Sequence, residues 1–171
     1  MKLLPAKPYI LLGLLLSGVP SIAAAHPSAA SVSPVMLADR QVSATAPSTP
    51  AAAVDAFHTA LKKGDKKSAL LLLSEDVIIF ESGGVESNRT EYESHHLSAD
   101  MEFSAATVRT PVSEIVIEDG AMASVMRVEN IKGSFRTRPV NSRSVETMML
   151  RKIDGIWRIV HIHWSSANIK S

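Results

Sequence analysis

Two of the six histidines in this 171-residue chain stand as His161-Ile162-His163 near the C-terminal end. On a strand, side chains at i and i+2 leave the same face about 6.5–7 Å apart along the backbone. Two imidazoles placed that way can converge on one metal ion. Regular alternation puts Trp157 and Ile159 on the same face and Val160, Ile162 and Trp164 on the other. Both faces are apolar, so both are expected to be covered, with Trp157, His161 and His163 lining an enclosed space. A second pair, His95-His96, sits in a segment of helical character. Adjacent helical residues point about 100° apart, so the two rings rarely serve one ion together. Glu91 and Tyr92 lie one turn before this pair, and Asp100 lies one turn after His96. A histidine with a carboxylate one turn away suits either the surroundings of a metal or a tuned general base. Imidazole and carboxylate without thiolate favour Cu(II) or Zn(II). The candidate metal set is therefore His95, His96, Asp100, His161 and His163, provided the two clusters meet in space.

Other polar residues carry weaker signals. Glu86 is either one more oxygen ligand or a solvated loop residue. Met101, Met122, Met126, Met148 and Met149 read as core filling rather than soft ligands. His26 becomes an amino-terminal chelator only if cleavage follows Ala25. His58, beside Phe57, receives no special role. Ser165 and Ser166 follow the histidine strand, but no nucleophile-elbow motif supports a hydrolase.

The elements that must position these residues are legible in the pattern. Lys2 and Lys7 precede the apolar run Ile10–Leu16, and Ala23-Ala24-Ala25 offers a small-x-small cleavage signal. Residues 1–25 are thus expected to be a secretion signal, and the mature protein periplasmic or extracellular. The run is well short of the roughly 20 residues that span a bilayer, so no stable membrane anchor is expected. Residues 26–48, rich in Ala, Ser, Pro and Thr, read as a flexible linker. The folded domain is expected over 49–168. Val54, Phe57 and Leu61 recur at helical spacing up to Gly64, and Asp65 can cap a short helix through Leu70–Leu73. Val77–Phe80 is β-branched and reads as a strand, Ser82-Gly83-Gly84 as a turn. Thr90 has capping-box spacing and is expected to open the helix that carries His95 and His96. Asp119-Gly120 and Asp154-Gly155 each join two β-rich segments, the signature of hairpins.

Composition narrows the partners. The net charge is +1, but without Lys2 and Lys7 the basic residues fall one short of the 17 acidic ones. No basic stripe exists, so nucleic acid is not an expected partner. The chain has no Cys, which removes disulfide and thiolate chemistry.

The segment Ala53–Asp65, the Leu70–Leu73 helix, the strand ending Phe80-Glu81 and the closing Gly155–Ser165 resemble the nuclear transport factor 2-like superfamily, in particular its SnoaL-like bacterial branch. The resemblance spans residues 50–166. It implies an α+β, cone-shaped fold: a strongly curved antiparallel sheet packed on about three N-terminal helices, enclosing a pocket. It also implies a homodimer formed through the outer sheet face. By position, Glu81 matches the general-base carboxylate of the ketosteroid isomerase branch. The tyrosine that branch uses as oxyanion donor falls near Phe57, which has no hydroxyl, so a steroid isomerase is not the expected activity. Phe57 and Tyr92 complete the expected pocket. The reading is an exported small-ligand or metal-ion binding domain. The alternatives are an isomerase, cyclase or dehydratase using Glu81 or a pocket histidine as base, and a non-catalytic structural or interaction domain.

Overall fold

A computed structural model of the chain describes residues 46–170. The expected secretion signal, and the linker up to residue 45, lie outside the described residues. Helix α1 (Pro50–Lys63) starts where Thr49 accepts a hydrogen bond from the Ala52 amide, and it stops at Gly64, whose φ of 68° suits a left-handed C-cap. Asp65 caps α2 (Lys66–Leu72) through the Ser68 amide. Strand β1 (Leu73–Glu81) and the short β2 (Gly84–Glu86) follow as a hairpin. The next helical segment divides in two at His96: α3 (Arg89–His95) and α4 (Leu97–Ala106). Its cap is Asn88 rather than Thr90. Asn88 accepts from the Glu91 amide while the Glu91 carboxylate reaches back to the Ser87 amide at 2.7 Å. Four long strands then run in succession: β3 (Thr107–Asp119), β4 (Met122–Phe135), β5 (Arg138–Ile153) and β6 (Ile156–Asn168).

The strands form one sheet in the order β2-β1-β6-β5-β4-β3. Every pairing is antiparallel except β1 with β6. The sheet is therefore mixed, a departure from the antiparallel expectation, because the chain returns from β1 to its neighbour β6 only after two helices and four strands. Asp154 and Gly155 both have positive φ, the two-residue turn that matches strand twist. The inner sheet face packs on the helices. Phe57, Leu61, Tyr92 and Leu97 meet Val125, Met148, Leu150, Trp157, Ile159 and Ile162 in one buried core. Burial of this apolar surface is the main stabilising contribution.

One irregularity decides the fate of the histidine strand. Ile159 pairs with Leu150, but His161 pairs with Met149, so Val160 is an extra residue without a partner of its own. A bulge of one residue reverses which side chains face the core. Trp157 and Ile159 point inward, and beyond the bulge Ile162 and Trp164 do so. His161 and His163 consequently project from the outer face. There Phe80 meets both rings edge-on, and His161 Nδ1 lies 2.9 Å from the Ile78 carbonyl.

Candidate functional site

The inner face carries an acidic cleft between the end of β1 and the α3–α4 break. Glu81 closes β1 opposite Trp164, Tyr92 comes from α3, Asp100 from α4 and Arg109 from β3. Glu81, Asp100, Arg109, Ser142, Ser144 and Trp164 line a cavity of about 90 Å³. Glu81 also borders a smaller crevice together with Glu86, Tyr92 and His96. The Tyr92 hydroxyl donates to Asp100 Oδ2 at 2.8 Å. Tyr92 follows the Asn88 cap by four residues and faces the core, whereas Asp100 is one turn into α4, so the broken helix folds the two side chains together.

Burial dominates the electrostatics. Asp100 is pushed up to about 6, chiefly by desolvation, with Glu81 adding to the rise and the Tyr92 hydrogen bond opposing it. Glu81 is open to solvent on one side, yet the protein around its carboxyl raises its pKa; His96 and Arg109 hold the rise back. Tyr92 is driven well above its ordinary value by burial and by the neighbouring carboxylates. Two carboxyl groups near each other in a desolvated cleft favour a state with one ionised and one protonated. That is the arrangement of a base and an acid side by side.

His96 borders the adjoining crevice, and His95 precedes it in the chain. Both Nδ1 atoms bond to the Glu86 carboxylate, that of His95 at 3.2 Å. Glu86 is buried while the imidazoles remain more than half exposed. His96 turns to Glu86 on β2, not to Asp100 on the following turn.

The expected metal set is not assembled. His161 and His163 lie on the opposite side of the sheet from His95, His96 and Asp100. Among the described residues, no group of three or more His, Asp or Glu side chains is placed to hold an ion. His161 and His163 do not line the inner cleft either, a consequence of the Val160 bulge. Phe57 and Trp157 are fully buried core side chains, Phe57 stacked on Trp164 at 6.5 Å, rather than pocket walls. Glu81 lines the cleft, and Tyr92 borders the adjoining crevice. A phenol does stand beside the cleft, that of Tyr92, and its hydroxyl is bound to Asp100.

Three further residues matter: Glu86, which the sequence left open between a ligand and a solvated residue, Arg109, which it did not single out, and His58, which it gave no role. Glu86 organises the histidine pair, and Arg109 is the cation of the cleft. His58 on α1 places Nε2 3.0 and 2.9 Å from the two oxygens of Glu146, which also accepts from Trp164 Nε1 at 2.6 Å. A buried glutamate in the middle of the β5 alternation was the one available signal for the last of these.

A curved sheet packed on helices places the chain in the nuclear transport factor 2-like class. Within it, the chain belongs to the family of SnoaL-like domains, which matches residues 51–169. It is similar to a "putative ketosteroid isomerase" from Shewanella frigidimarina NCIMB 400, at 34% identity over 68% of this chain and 95% of that one, with a TM-score of 0.65. A "putative dehydratase" of the same fold from Streptomyces avermitilis gives 20% identity, 70% and 92% coverage and a TM-score of 0.58. The CaMKII hub of S. rosetta gives 19%, 67% and 92%, and 0.56. The latter two likenesses carry the fold alone. No curated protein matches the chain in sequence.

Proposed function

We propose that this domain is a proton-transfer enzyme of the isomerase or dehydratase kind, acting on a small carbonyl compound. Glu81 is the general base that removes a proton next to the carbonyl. Asp100, positioned by Tyr92, is the acid that donates to the carbonyl or departing hydroxyl oxygen. The observation that carries this reading is the pairing of two upshifted carboxyls, Glu81 and Asp100, on one cavity, the second of them held by the buried Tyr92 phenol. The similarity to the Shewanella protein points the same way. A cavity of about 90 Å³ is far below the roughly 300–1,000 Å³ of a drug-sized site. It holds the reacting end of a substrate rather than a steroid body.

The test is deuterium incorporation. A panel of β,γ-unsaturated ketones and β-hydroxy carbonyl compounds is incubated with the protein in D₂O and followed by NMR. Exchange beside the carbonyl is expected to exceed the buffer rate and to be lost in Glu81→Gln. Its pH profile rises as Glu81 ionises and falls as Asp100 loses its proton near pH 6. Exchange no faster than buffer across the panel, or unaffected by Glu81→Gln, refutes the assignment. The small cavity also favours a second reading, a non-catalytic binder of one small ligand, which predicts binding without exchange.

The proposal includes export, supported by the Lys2–Ala25 pattern, and a homodimer through the outer sheet face. Exposed Ile78, Phe80, Val145 and Met149 on that face support pairing.

A further inference from the structure

Glu146 is almost wholly buried, at 1% exposure, and the chemistry proposed at Glu81 makes no use of it. A carboxylate taken out of water is costly unless hydrogen bonds and an opposite charge answer it, so its place in the core calls for a reason. The strand register supplies one. Glu81 on β1 lies beside Trp164 on β6, and Trp164 lies beside Glu146 on β5. Neighbouring strands are about 4.8 Å apart, so the indole stands in a row between two carboxyl groups. Glu81 and Trp164 line the same cleft and the same adjoining crevice.

An indole has one N–H to give. That of Trp164 goes to Glu146 Oε2 at 2.6 Å, away from Glu81. The ring has only carbon left to offer on its other side. Two consecutive residues of α1 hold this arrangement. Phe57 stacks on the indole, 15° from parallel, and His58 places Nε2 3.0 and 2.9 Å from the two Glu146 oxygens. Burial pushes Glu146 up, but His58 and the indole outweigh it and keep the carboxyl below its ordinary range. An ionised Glu146 accepts from the indole and from His58 Nε2–H, whether the imidazole is neutral or charged.

A carboxyl beside an apolar ring is desolvated, which disfavours its charged form. Burial is the leading cause of the raised Glu81 pKa, with His96 and Arg109 opposing it. The other titratable groups around Glu81 are Tyr92 on α3, Asp100 on α4 and Glu86 on β2. We propose that His58 and Glu146 are positioning residues for the base: they draw the Trp164 N–H away from Glu81 and hold the indole as an apolar wall of its cleft. The catalytic meaning of this pair rests on the Glu81 reading, whereas its effect on the Glu81 carboxyl is a property of the folded chain alone.

The full chain is labelled with ¹³C at its glutamate carboxyls, and the Glu81 signal is identified by its loss in Glu81→Gln. Its titration is followed in the native chain, in Glu146→Leu and in Glu146→Gln. Glu146→Leu leaves the indole without an acceptor, free to turn or to admit water, so the Glu81 midpoint is expected to fall by at least about 0.5 pH units. Glu146→Gln keeps an oxygen for the indole and an amide for His58, so its midpoint is expected to stay near the native one. The acid limb of deuterium exchange is expected to move with the midpoint in each variant. An unmoved midpoint in Glu146→Leu overturns the inference. So does an equal fall in both variants, which assigns the effect to the lost charge rather than to the indole. If Glu146→Leu does not fold, Trp164→Phe, which lacks the N–H and the second ring, is expected to lower the midpoint, and an unchanged value there overturns the inference equally. The expected midpoints in a chain that shows no exchange refute the Glu81 reading and leave this one standing. Exchange that persists with unmoved midpoints refutes only the positioning pair.

Discussion

Replacing Asp100 by Asn removes a buried negative charge and keeps an oxygen for the Tyr92 hydroxyl. The carboxyl rises from 3.8 to about 6 on folding, with burial as the main cause. Each pKa unit corresponds to about 1.4 kcal/mol, so ionised Asp100 costs the native state about 3 kcal/mol as an upper bound. The sign follows from proton counting. Between pH 4 and 6 the folded chain holds a proton that the unfolded chain has released, so stability falls as pH rises through that window. A neutral amide at this position carries no such penalty. Asp100→Asn is therefore expected to match the native protein near pH 4 and to exceed it by up to about 3 kcal/mol at pH 7. Urea unfolding at half-unit intervals from pH 4 to 7.5, with equal m-values, measures the gap. A gap that does not change with pH, or a variant less stable at pH 7, refutes the account of the buried carboxyl. The same variant is expected to lose the acid function, a trade of activity for stability that strained sites commonly show.

Trp164→Phe removes the indole donor to buried Glu146, an expected loss of about 1–3 kcal/mol. Because the Glu146 pKa is depressed, that loss is largest above the unfolded carboxylate range and shrinks as pH falls through the folded value, which chemical denaturation at pH 7 and pH 4 can compare. A Cβ at Gly133 would run into the Ala106 carbonyl and crowd Thr107. Gly133→Ala is accordingly expected to destabilise by about 1–3 kcal/mol, measured by urea midpoint. Phe80→Glu places a charge on the exposed outer face without touching the core, so sedimentation equilibrium is expected to show the mutant as a monomer and the native chain as a dimer. A native monomer ends the dimer proposal.

Local chemistry accounts for the features legible in the sequence. The 3.6-residue spacing of Val54, Phe57 and Leu61, the Gly64 stop, the Asp65 cap and the Asp-Gly turns each involve residues a few positions apart. They place α1, α2 and the two hairpins, and with them the SnoaL-like likeness. Glu81 was legible by its position in that likeness. The histidines were not, because strand alternation holds only while register holds. The Val160 bulge exists through the partner strand, Leu150 facing Ile159 and Met149 facing His161, and nothing in residues 156–164 alone reveals it. The cleft and the His58–Glu146 pair share this dependence. Asp100 and Tyr92 meet because the helix breaks at His96, and His58 meets Glu146 across 88 residues of chain. Sequence periodicity determined which segments are helix or strand and which face is apolar. Tertiary packing alone decided which carboxyls share a desolvated space, because desolvation is set by neighbours distant in the chain.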